Sequence, residues 1–344
     1  MGERRYRAAI AKGLDGALER AVGGSWDLDR DRVVVFSDLH RGQGDHADDF
    51  RTSSDTYRRA LEFYLDAGYR LIVLGDAEEL WEGWPRKVIP TYRDSLELEA
   101  RFTRSSSGRY TRVWGNHDDL WQYPHQVAKH LVPVFGELQV IEGLDVTVTR
   151  GDADLGRIFL VHGHQGTAAS DRWGKVSRHF VRWVWRPAQR LFKIKHNTPA
   201  TDFEIRGKHD RAMYEWAAAR NDLVLIAGHT HNPVFVSRPH VATLERVHQH
   251  LRDRDDSGSE PARQAEIEIA WARREGMGDE AQTSRDRGCY FNSGCGCFFN
   301  GDVTGIELAD GEIRLVRWTV DSDDPGERVV EARDLATIFA PLGS

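Results

Sequence analysis

Residues 33–40 read VVVFSDLH, a run of four apolar residues followed by a serine, an aspartate, a leucine and a histidine. Four apolar residues in succession indicate a strand buried on both faces, because a half-exposed strand alternates apolar with polar residues. Side chains two positions apart in an extended segment point to the same side, so Asp38 and His40 are expected to converge. The stretch therefore predicts a buried strand whose carboxyl end carries polar ligands.

The same pattern returns four times further along the chain. Apolar runs at 71–74, 110–114, 157–161 and 223–227 end in Gly75-Asp76, Gly115-Asn116-His117-Asp118, His162-Gly163-His164 and Gly228-His229-Thr230-His231. Residues 57–67 and the segment around 96–102 have helical periodicity between the first three runs. Strands that alternate with helices predict an α/β fold, in which ligands collect beyond the carboxyl ends of the strands.

The five strand ends offer the side chains that divalent cations bind. Carboxylate, amide and imidazole groups are suitable donors, and one carboxylate shared by two ions holds them at a fixed spacing. The candidate metal ligands are Asp38, His40, Asp76, Asn116, His162, His229 and His231. All of them lie at predicted strand ends, so we expect one site for two divalent metal ions.

Taken in order, the motifs D-x-H, G-D, G-N-H-D, H-G-H and G-H-T-H resemble those of the calcineurin-like metallophosphoesterase superfamily, over about residues 32–234. The resemblance implies two packed mixed β-sheets flanked by helices, the αββα sandwich. It implies two sets of ligands that share Asp76: Asp38, His40, Asp76 and His231 for one metal, and Asp76, Asn116, His162 and His229 for the other. It also implies hydrolysis of a phosphoester by a hydroxide that bridges the ions, with manganese expected and iron, zinc or magnesium as alternatives.

Three further residues are expected to act in catalysis. By the resemblance, His117 lies at the leaving-group side, where it contacts the phosphate or donates a proton. Glu79 stands where several members of the superfamily carry an acid that orients this histidine. Arg41 is expected either to contact a phosphoryl oxygen or to lie at the surface. His164 is a candidate for supporting a ligand from behind, and Asn292 for backing the site.

Composition limits the alternatives. Of the 344 residues 40% are hydrophobic and 29% charged, and no apolar stretch approaches the roughly 20 residues that span a bilayer. The net charge of −7 argues against a general attraction to nucleic acid. Cys289, Cys295 and Cys297 are expected to be buried structural thiols in a reducing compartment, and half of a thiolate zinc site at Cys295-Gly296-Cys297, which lacks a second cysteine pair, is the alternative. The first residues lack the apolar segment of a secretory signal, so we expect a cytoplasmic protein.

The order of segments predicts one catalytic domain. We expect residues 1–30 to form an N-terminal helix packed on the core, and residues 31–344 to form the metallophosphoesterase domain. Within this domain, residues 165–220 read as a basic helical cap and residues 245–288 as a charged helical excursion. Strand-like runs at 289–291, 303–308 and 313–320 are expected to close a second sheet.

The first insertion contains a basic amphipathic segment. Between positions 172 and 195 there are eight Lys or Arg residues and no Asp or Glu. Helical periodicity places Arg178, Arg182, Arg186 and Arg190 on one side and Trp173 among the apolar residues of the other. Such a helix is expected to contact an anionic membrane surface, at the inner face, or to cap a pocket. A packed helix with a solvated basic face and a contact with nucleic-acid phosphates are the alternatives.

The substrate class follows from the wording of the motifs. S-D-L-H, a G-D-x-x-E-x-W stretch ending at Trp81, and G-H-T-H-N-P are similar to the UDP-diacylglucosamine pyrophosphatases, although those of the best-known type carry arginine where His117 stands. We expect cleavage of a phosphodiester or pyrophosphate bond in a phosphorylated small-molecule, nucleotide or lipid-linked substrate. A nuclease or cyclic-nucleotide phosphodiesterase is the alternative enzyme, and a non-catalytic scaffold attached to membranes is the alternative of a different class.

Overall fold

The computed structural model describes residues 2–105, 108–166, 203–239, 288–298, 300–320 and 328–340, together with positions 245, 249, 266 and 269. The α-helices in these ranges are α1 (Glu3–Glu19), α2 (Ser54–Asp66), α3 (Pro85–Thr91), α4 (Arg93–Ser105), α5 (Pro124–His130), α6 (Val132–Phe135), α7 (Phe203–Ala218) and α8 (Leu335–Phe339). The strands are β1 (Val22–Asp27), β2 (Val33–Phe36), β3 (Arg70–Leu74), β4 (Tyr110–Val113), β5 (Val140–Ile141), β6 (Gly143–Arg150), β7 (Ala153–Val161), β8 (Leu223–Ala227), β9 (Val234–Phe235), β10 (Arg238–Pro239), β11 (Tyr290–Asn292), β12 (Val303–Ala309), β13 (Glu312–Trp318) and β14 (Val329–Asp334).

The strands form two mixed sheets of seven strands each. One sheet has the order β1-β6-β7-β8-β11-β9-β10, and the other has the order β14-β13-β12-β2-β3-β4-β5. Strands β2, β3 and β4 run parallel to one another, as do β7 and β8, so their carboxyl ends lie at one edge of each sheet. The predicted α/β class and the two mixed sheets flanked by helices are confirmed.

The core lies in three layers because the central strands are buried on both faces. In β2, Val33 and Val35 belong to the apolar layer between the sheets, which also contains Ile226 of β8. Val34 and Phe36 belong to the layer under the helices α2 and α4. This arrangement explains why the four apolar residues of β2 follow one another without a polar residue.

The sheet that contains β7 and β8 is covered by α1 and α7. Ile10 and Leu14 of α1 pack with Met213 and Trp216 of α7 in one buried cluster. The predicted N-terminal helix is therefore present, but residues 1–30 hold more than a helix. Strand β1 pairs in parallel with β6 and so belongs to the core sheet, a role that its sequence VGGSWD did not reveal.

The assignment of the late strands to a second sheet needs correction. Strand β12 pairs with β2, and β13 pairs with β12, so both extend the sheet that holds the first three motif strands. Strand β11 pairs with β8 in the other sheet. Each sheet thus combines strands from both halves of the chain, because pairing partners are chosen by long-range contacts that sequence periodicity does not encode.

Candidate metal centre

The carboxyl ends of the motif strands bring six of the seven candidate ligands into two clusters. Within each cluster, one donor atom per residue lies within 4.8 Å of the others. The two clusters are Asp38, His40 and His231, and Asp76, His162 and His229. His40 connects them, because its Nε2 atom is 3.8 Å from Oδ2 of Asp76.

In the first cluster, three donors face one another at short distances. The Nε2 atom of His231 is 3.2 Å from Oδ1 of Asp38 and 3.1 Å from Nε2 of His40. Oδ2 of Asp38 accepts a hydrogen bond from the backbone N–H of His229 at 2.9 Å, which joins the ends of β2 and β8. Oδ1 of Asp38 is therefore the oxygen that remains for a ligand.

In the second cluster, a backbone contact decides which nitrogen of His162 is free. Its Nδ1 atom lies 2.9 Å from the carbonyl oxygen of Leu74, so Nδ1 carries the proton and donates it. In the neutral ring the lone pair is then on Nε2, which is 3.0 Å from Oδ2 of Asp76. Oδ1 of Asp76 accepts from the backbone N–H of His117 at 2.7 Å, which places Asn116, the preceding residue, beside the same carboxylate.

The backbone of this site is strained in a way that few residues other than glycine tolerate. Five candidate ligands have φ between 49° and 71°, in the left-handed region: Asp38, His40, Asp76, His229 and His231. Each such residue costs on the order of 1–3 kcal/mol, and such strain concentrates at functional sites. Two glycines permit the close approach of the strand ends. A Cβ atom at Gly115 would stand 2.2 Å from Oδ1 of Asp76, and a Cβ atom at Gly228 would stand 2.5 Å from Oδ2 of Asp38.

The buried donor atoms fit divalent cations. Oδ1 of Asp38, Oδ1 of Asn116 and Nε2 of His162 are buried and have no hydrogen-bond partner among the described residues. More than about nine in ten buried polar groups in proteins are paired, so three unpaired atoms at one place are unusual. All three atoms are of the kinds that bind hard and borderline metal cations as ligands.

The electrostatics of the site keep the carboxylates charged. Burial by itself would raise the pKa of Asp76, but His162 and His117 outweigh burial and hold the pKa well below its usual value. In return, although burial lowers the pKa of His162, Asp76 and Asp38 raise it to about 9, so a cation that binds Nε2 displaces a proton from it. Burial and the neighbouring His209 and His162 lower the pKa of His229, which keeps this imidazole neutral and its lone pair available.

His117 lies at the border of the centre, held on two sides. Its Nδ1 atom is 2.6 Å from Oε2 of Glu79, and the same oxygen is 3.1 Å from Nδ1 of His40. The indole of Trp81 stacks on the imidazole, with 4.4 Å between centroids and 20° between planes. Trp81 also donates from Nε1 to the carbonyl oxygen of Asn116 at 2.6 Å. Trp81 was predicted only as part of a motif, and its contacts with His117 and Asn116 were not expected.

The expected roles of Arg41, at a phosphoryl oxygen or at the surface, are wrong. Its side chain is fully buried and forms ion pairs with Glu78, at 3.1 Å between Nη1 and Oε1, and with Glu99. Glu78 and Glu99 also pair with Arg112, which closes an inner ion-pair cluster of these four residues. The guanidinium is thus held by Glu78 and Glu99, whereas the neighbouring side chain of His40 joins the first donor cluster.

Other singled-out residues lie around the centre. His164 is buried next to His162, with 5.4 Å between ring centroids. Asn292 donates to the carbonyl oxygen of Gly228 at 2.7 Å and to Thr230 at 3.1 Å, so it supports the loop that carries His229 and His231 from behind. The candidate contacts at Trp173, Arg178, Arg182, Arg186 and Arg190 lie outside the described residues.

The fold and the site define a class of protein, and the comparison of sequences identifies the same class. The profile of the calcineurin-like phosphoesterases matches residues 31–233, which is more than half of the chain. The chain belongs to this family and is a hydrolase of phosphoester bonds.

Comparison with solved structures and curated proteins adds less. The chain is similar to an uncharacterized, predicted phosphoesterase from Streptococcus pneumoniae, with 13% identity, 88% of this chain and 98% of the other covered, and a TM-score of 0.33. It is also similar to a 5'-nucleotidase from Candida albicans, with 13% identity, 63% and 44% covered, and a TM-score of 0.23. No protein of curated function matches the sequence. Within the described ranges, no helix is both long and apolar enough to cross a bilayer.

Proposed function

We propose that this phosphoesterase uses two divalent metal ions to cleave a phosphodiester or pyrophosphate bond. The observation that carries the proposal is the pair of donor clusters connected through His40 and Asp76, with open lone pairs on buried atoms. The proposed ligands are Asp38, His40, Asp76 and His231 for one ion, and Asp76, Asn116, His162 and His229 for the other. Oxygen and imidazole donors without thiolates suit manganese, which we propose as the metal.

When bound, two such ions activate a water molecule for attack on phosphorus and neutralise negative charge on the phosphate oxygens. The protein contributes the position of the ligands and the handling of protons. We propose that His117 donates a proton to the leaving group from Nε2, because Glu79 holds Nδ1. The stacked Trp81 fixes the plane of the ring, so that the proton is presented in one direction.

The proposed reaction is tested with the purified chain and a small panel of substrates. With Mn²⁺, we expect hydrolysis of bis(p-nitrophenyl) phosphate or of a nucleoside diphosphate ester to exceed hydrolysis of p-nitrophenyl phosphate. Chelation with EDTA removes the activity, and Mn²⁺ restores it. Activity that survives complete removal of metal, verified by elemental analysis, contradicts the proposal. A strong preference for the monoester contradicts the proposed type of bond.

A lipid-linked or nucleotide substrate is the proposed substrate class, on the basis of the basic amphipathic segment. Each Lys or Arg near an anionic membrane contributes about 1 kcal/mol to binding. Replacement of Arg178, Arg182, Arg186 and Arg190 by Glu therefore abolishes sedimentation with anionic liposomes and activity on a nucleotide-diphosphate lipid. Hydrolysis of bis(p-nitrophenyl) phosphate by the same variant stays close to that of the parent. If the parent does not bind liposomes and prefers soluble nucleotides, the membrane contact is excluded.

A further inference from the structure

A Cys-Gly-Cys turn lies directly against the metal centre. After β11 the chain turns back, and the backbone N–H of Gly296 donates to the carbonyl oxygens of Ser37 and Asp38, at 3.1 and 3.2 Å. The turn is therefore fixed to the end of β2, where Asp38 begins the first donor cluster. Cys295 is 3% exposed and Cys297 is 9% exposed, so both thiols are buried next to the centre.

The two thiols and a ring nitrogen of His231 form a third group of donors. Sγ of Cys295 is 3.5 Å from Nδ1 of His231 and 3.1 Å from Sγ of Cys297. All three donor atoms lie within 4.8 Å of one another. Around a tetrahedral zinc ion, two sulfurs stand about 3.7 Å apart and a sulfur and a nitrogen about 3.5 Å apart. If the two sulfurs move apart by roughly half an ångström, they reach the spacing that such an ion requires.

The chemistry of this group differs from that of its neighbour. The two-metal centre offers carboxylate, amide and imidazole donors, whereas the turn offers two sulfurs, which select thiophilic cations. Cys289 shows the contrast within the same chain, because it lies in the apolar cluster under α1 and α7 with Met213 and Trp216. Cys289 therefore lies among apolar side chains, whereas Cys295 and Cys297 are buried beside a ring nitrogen of His231.

We propose that Cys295, Cys297 and Nδ1 of His231 bind a thiophilic divalent cation, Zn²⁺ or Cd²⁺, at a site that competes with the two-metal centre. On binding, each thiol releases its proton to solvent and both thiolates bond to the cation, so that two protons leave for one divalent ion. Three protein donors leave a fourth position for water, as in zinc sites that are not purely structural.

The competition arises because the two sites share His231. A neutral imidazole has one lone pair, so it binds a metal through one nitrogen and carries a proton on the other. When Nε2, which is directed at Asp38 and His40, binds a metal, Nδ1 carries the proton and donates it to Cys295, 3.5 Å away. When the cation at the thiols takes Nδ1, Nε2 is protonated and the first donor cluster loses one ligand.

The consequence is inhibition by thiophilic cations. The effect on activity rests on the proposed role of His231 as a ligand of the two-metal centre, whereas the binding of the cation does not. The two sites compete for one side chain. At a higher concentration of Mn²⁺, we therefore expect that more of the thiophilic cation is needed to inhibit the enzyme.

The test titrates the Mn²⁺-loaded chain with Cd²⁺ in the presence of a phosphine reductant. Ultraviolet absorption from thiolate-to-cadmium charge transfer reports binding, and hydrolysis of bis(p-nitrophenyl) phosphate reports activity. We expect absorption to saturate at one Cd²⁺ per chain, and activity to fall at least about tenfold over the same range. Replacement of Cys295 or of Cys297 by Ser weakens Cd²⁺ binding at least about tenfold. Cys289→Ser, the matched control, keeps it.

Three results overturn the proposal or part of it. If both serine variants show the same thiolate-to-cadmium absorption as the parent, the two thiols do not bind the cation. The same follows if the parent shows no such absorption. Saturable absorption without inhibition excludes the sharing of His231. Inhibition is expressed relative to the uninhibited rate of each variant. If Cys297→Ser does not fold, Cys297→Ala replaces it. If the parent proves inactive on every phosphoester, the proposed function fails, and the absorption still decides the cation site.

Discussion

Two groups of buried charged residues lie side by side in this protein, and they are built in opposite ways. In the inner ion-pair cluster of Arg41, Glu78, Glu99 and Arg112, each carboxylate pairs with guanidinium groups. The atoms left without a partner there are Nε–H donors of the two arginines, which cannot bind a cation. In the metal centre the unpaired atoms include Oδ1 of Asp38 and Nε2 of His162, which have lone pairs.

The comparison shows that burial and charge alone do not identify a functional site. Residues adjacent in sequence belong to different groups. His40 belongs to the metal centre and Arg41 to the ion-pair cluster, and likewise Glu79 contacts the centre and Glu78 belongs to the cluster. The backbones at Arg41 and Glu78 pair as a short parallel bridge. This bridge fixes the segment of His40 and Arg41 to the segment of Glu78 and Glu79. An open lone pair on a buried atom is the feature that distinguishes the site from its support.

Asp76→Asn tests the metal centre and has the largest expected effect. Asparagine cannot bridge two cations as a carboxylate does, so metal content falls and activity drops by at least about 10⁴-fold, with loss of the second metal dominating. Elemental analysis and turnover of bis(p-nitrophenyl) phosphate measure both. Asp222→Asn, at an exposed turn, is the control and keeps both values. Full activity with normal metal content removes Asp76 from the site.

Arg41→Met tests the inner ion-pair cluster. Without Arg41, two buried carboxylates share the single guanidinium of Arg112 and one negative charge is uncompensated, so the free energy of unfolding decreases by about 3–5 kcal/mol. Arg93→Met, which breaks an exposed pair with Glu97, costs less than about 1 kcal/mol. Chemical denaturation measures both. A variant of unchanged stability that has lost activity restores the expectation that Arg41 contacts the substrate.

His117→Ala separates proton transfer from metal binding at the border of the centre. The variant keeps both metals and loses about 10²–10⁴-fold in rate, because an acid that assists the leaving group is missing. Turnover and metal content are measured on the same sample, and His125→Ala, exposed on α5, is the control. Loss of metal in His117→Ala shows instead that His117 is a ligand.

Asp210→Asn extends the comparison to a third kind of buried carboxyl group, one that its neighbours do not keep ionised. Burial raises the pKa of Asp210 to about 7, although Tyr290 and Thr230 donate to Oδ1 at 2.7 and 3.0 Å. Between pH 4 and 7 the unfolded chain ionises this group while the folded chain keeps it protonated, so stability is lost as pH rises. Over this range the wild type loses roughly 2–4 kcal/mol relative to Asp210→Asn.

Denaturation curves at pH 4, 5.5 and 7 measure this difference. Asp152→Asn, at an exposed turn, serves as the control and should follow the wild type at each pH. A constant difference in stability between Asp210→Asn and the wild type across the three pH values shows that Asp210 is charged in the folded protein.

Much of the fold was predictable because the signals are local. Strands β2 and β8 begin and end where the apolar runs 33–36 and 223–227 do, and helix α2 covers nearly all of the predicted 57–67. Strand β1 was missed because its glycines and serine give no apolar alternation. The role of Arg41 was missed because periodicity predicts opposite faces for neighbours and does not say which face is the interior.

The sequence by itself determined the strand ends and the kinds of donor placed there, since the period of a strand and the chemistry of a side chain belong to a few consecutive residues. Only the tertiary structure decided which strands share a sheet and which side chains meet across it. Cys295 and His231 are separated by 64 positions along the chain and yet lie 3.5 Å apart, Sγ to Nδ1. Such contacts depend on the pairing of distant strands, which is fixed by the packing of the whole core.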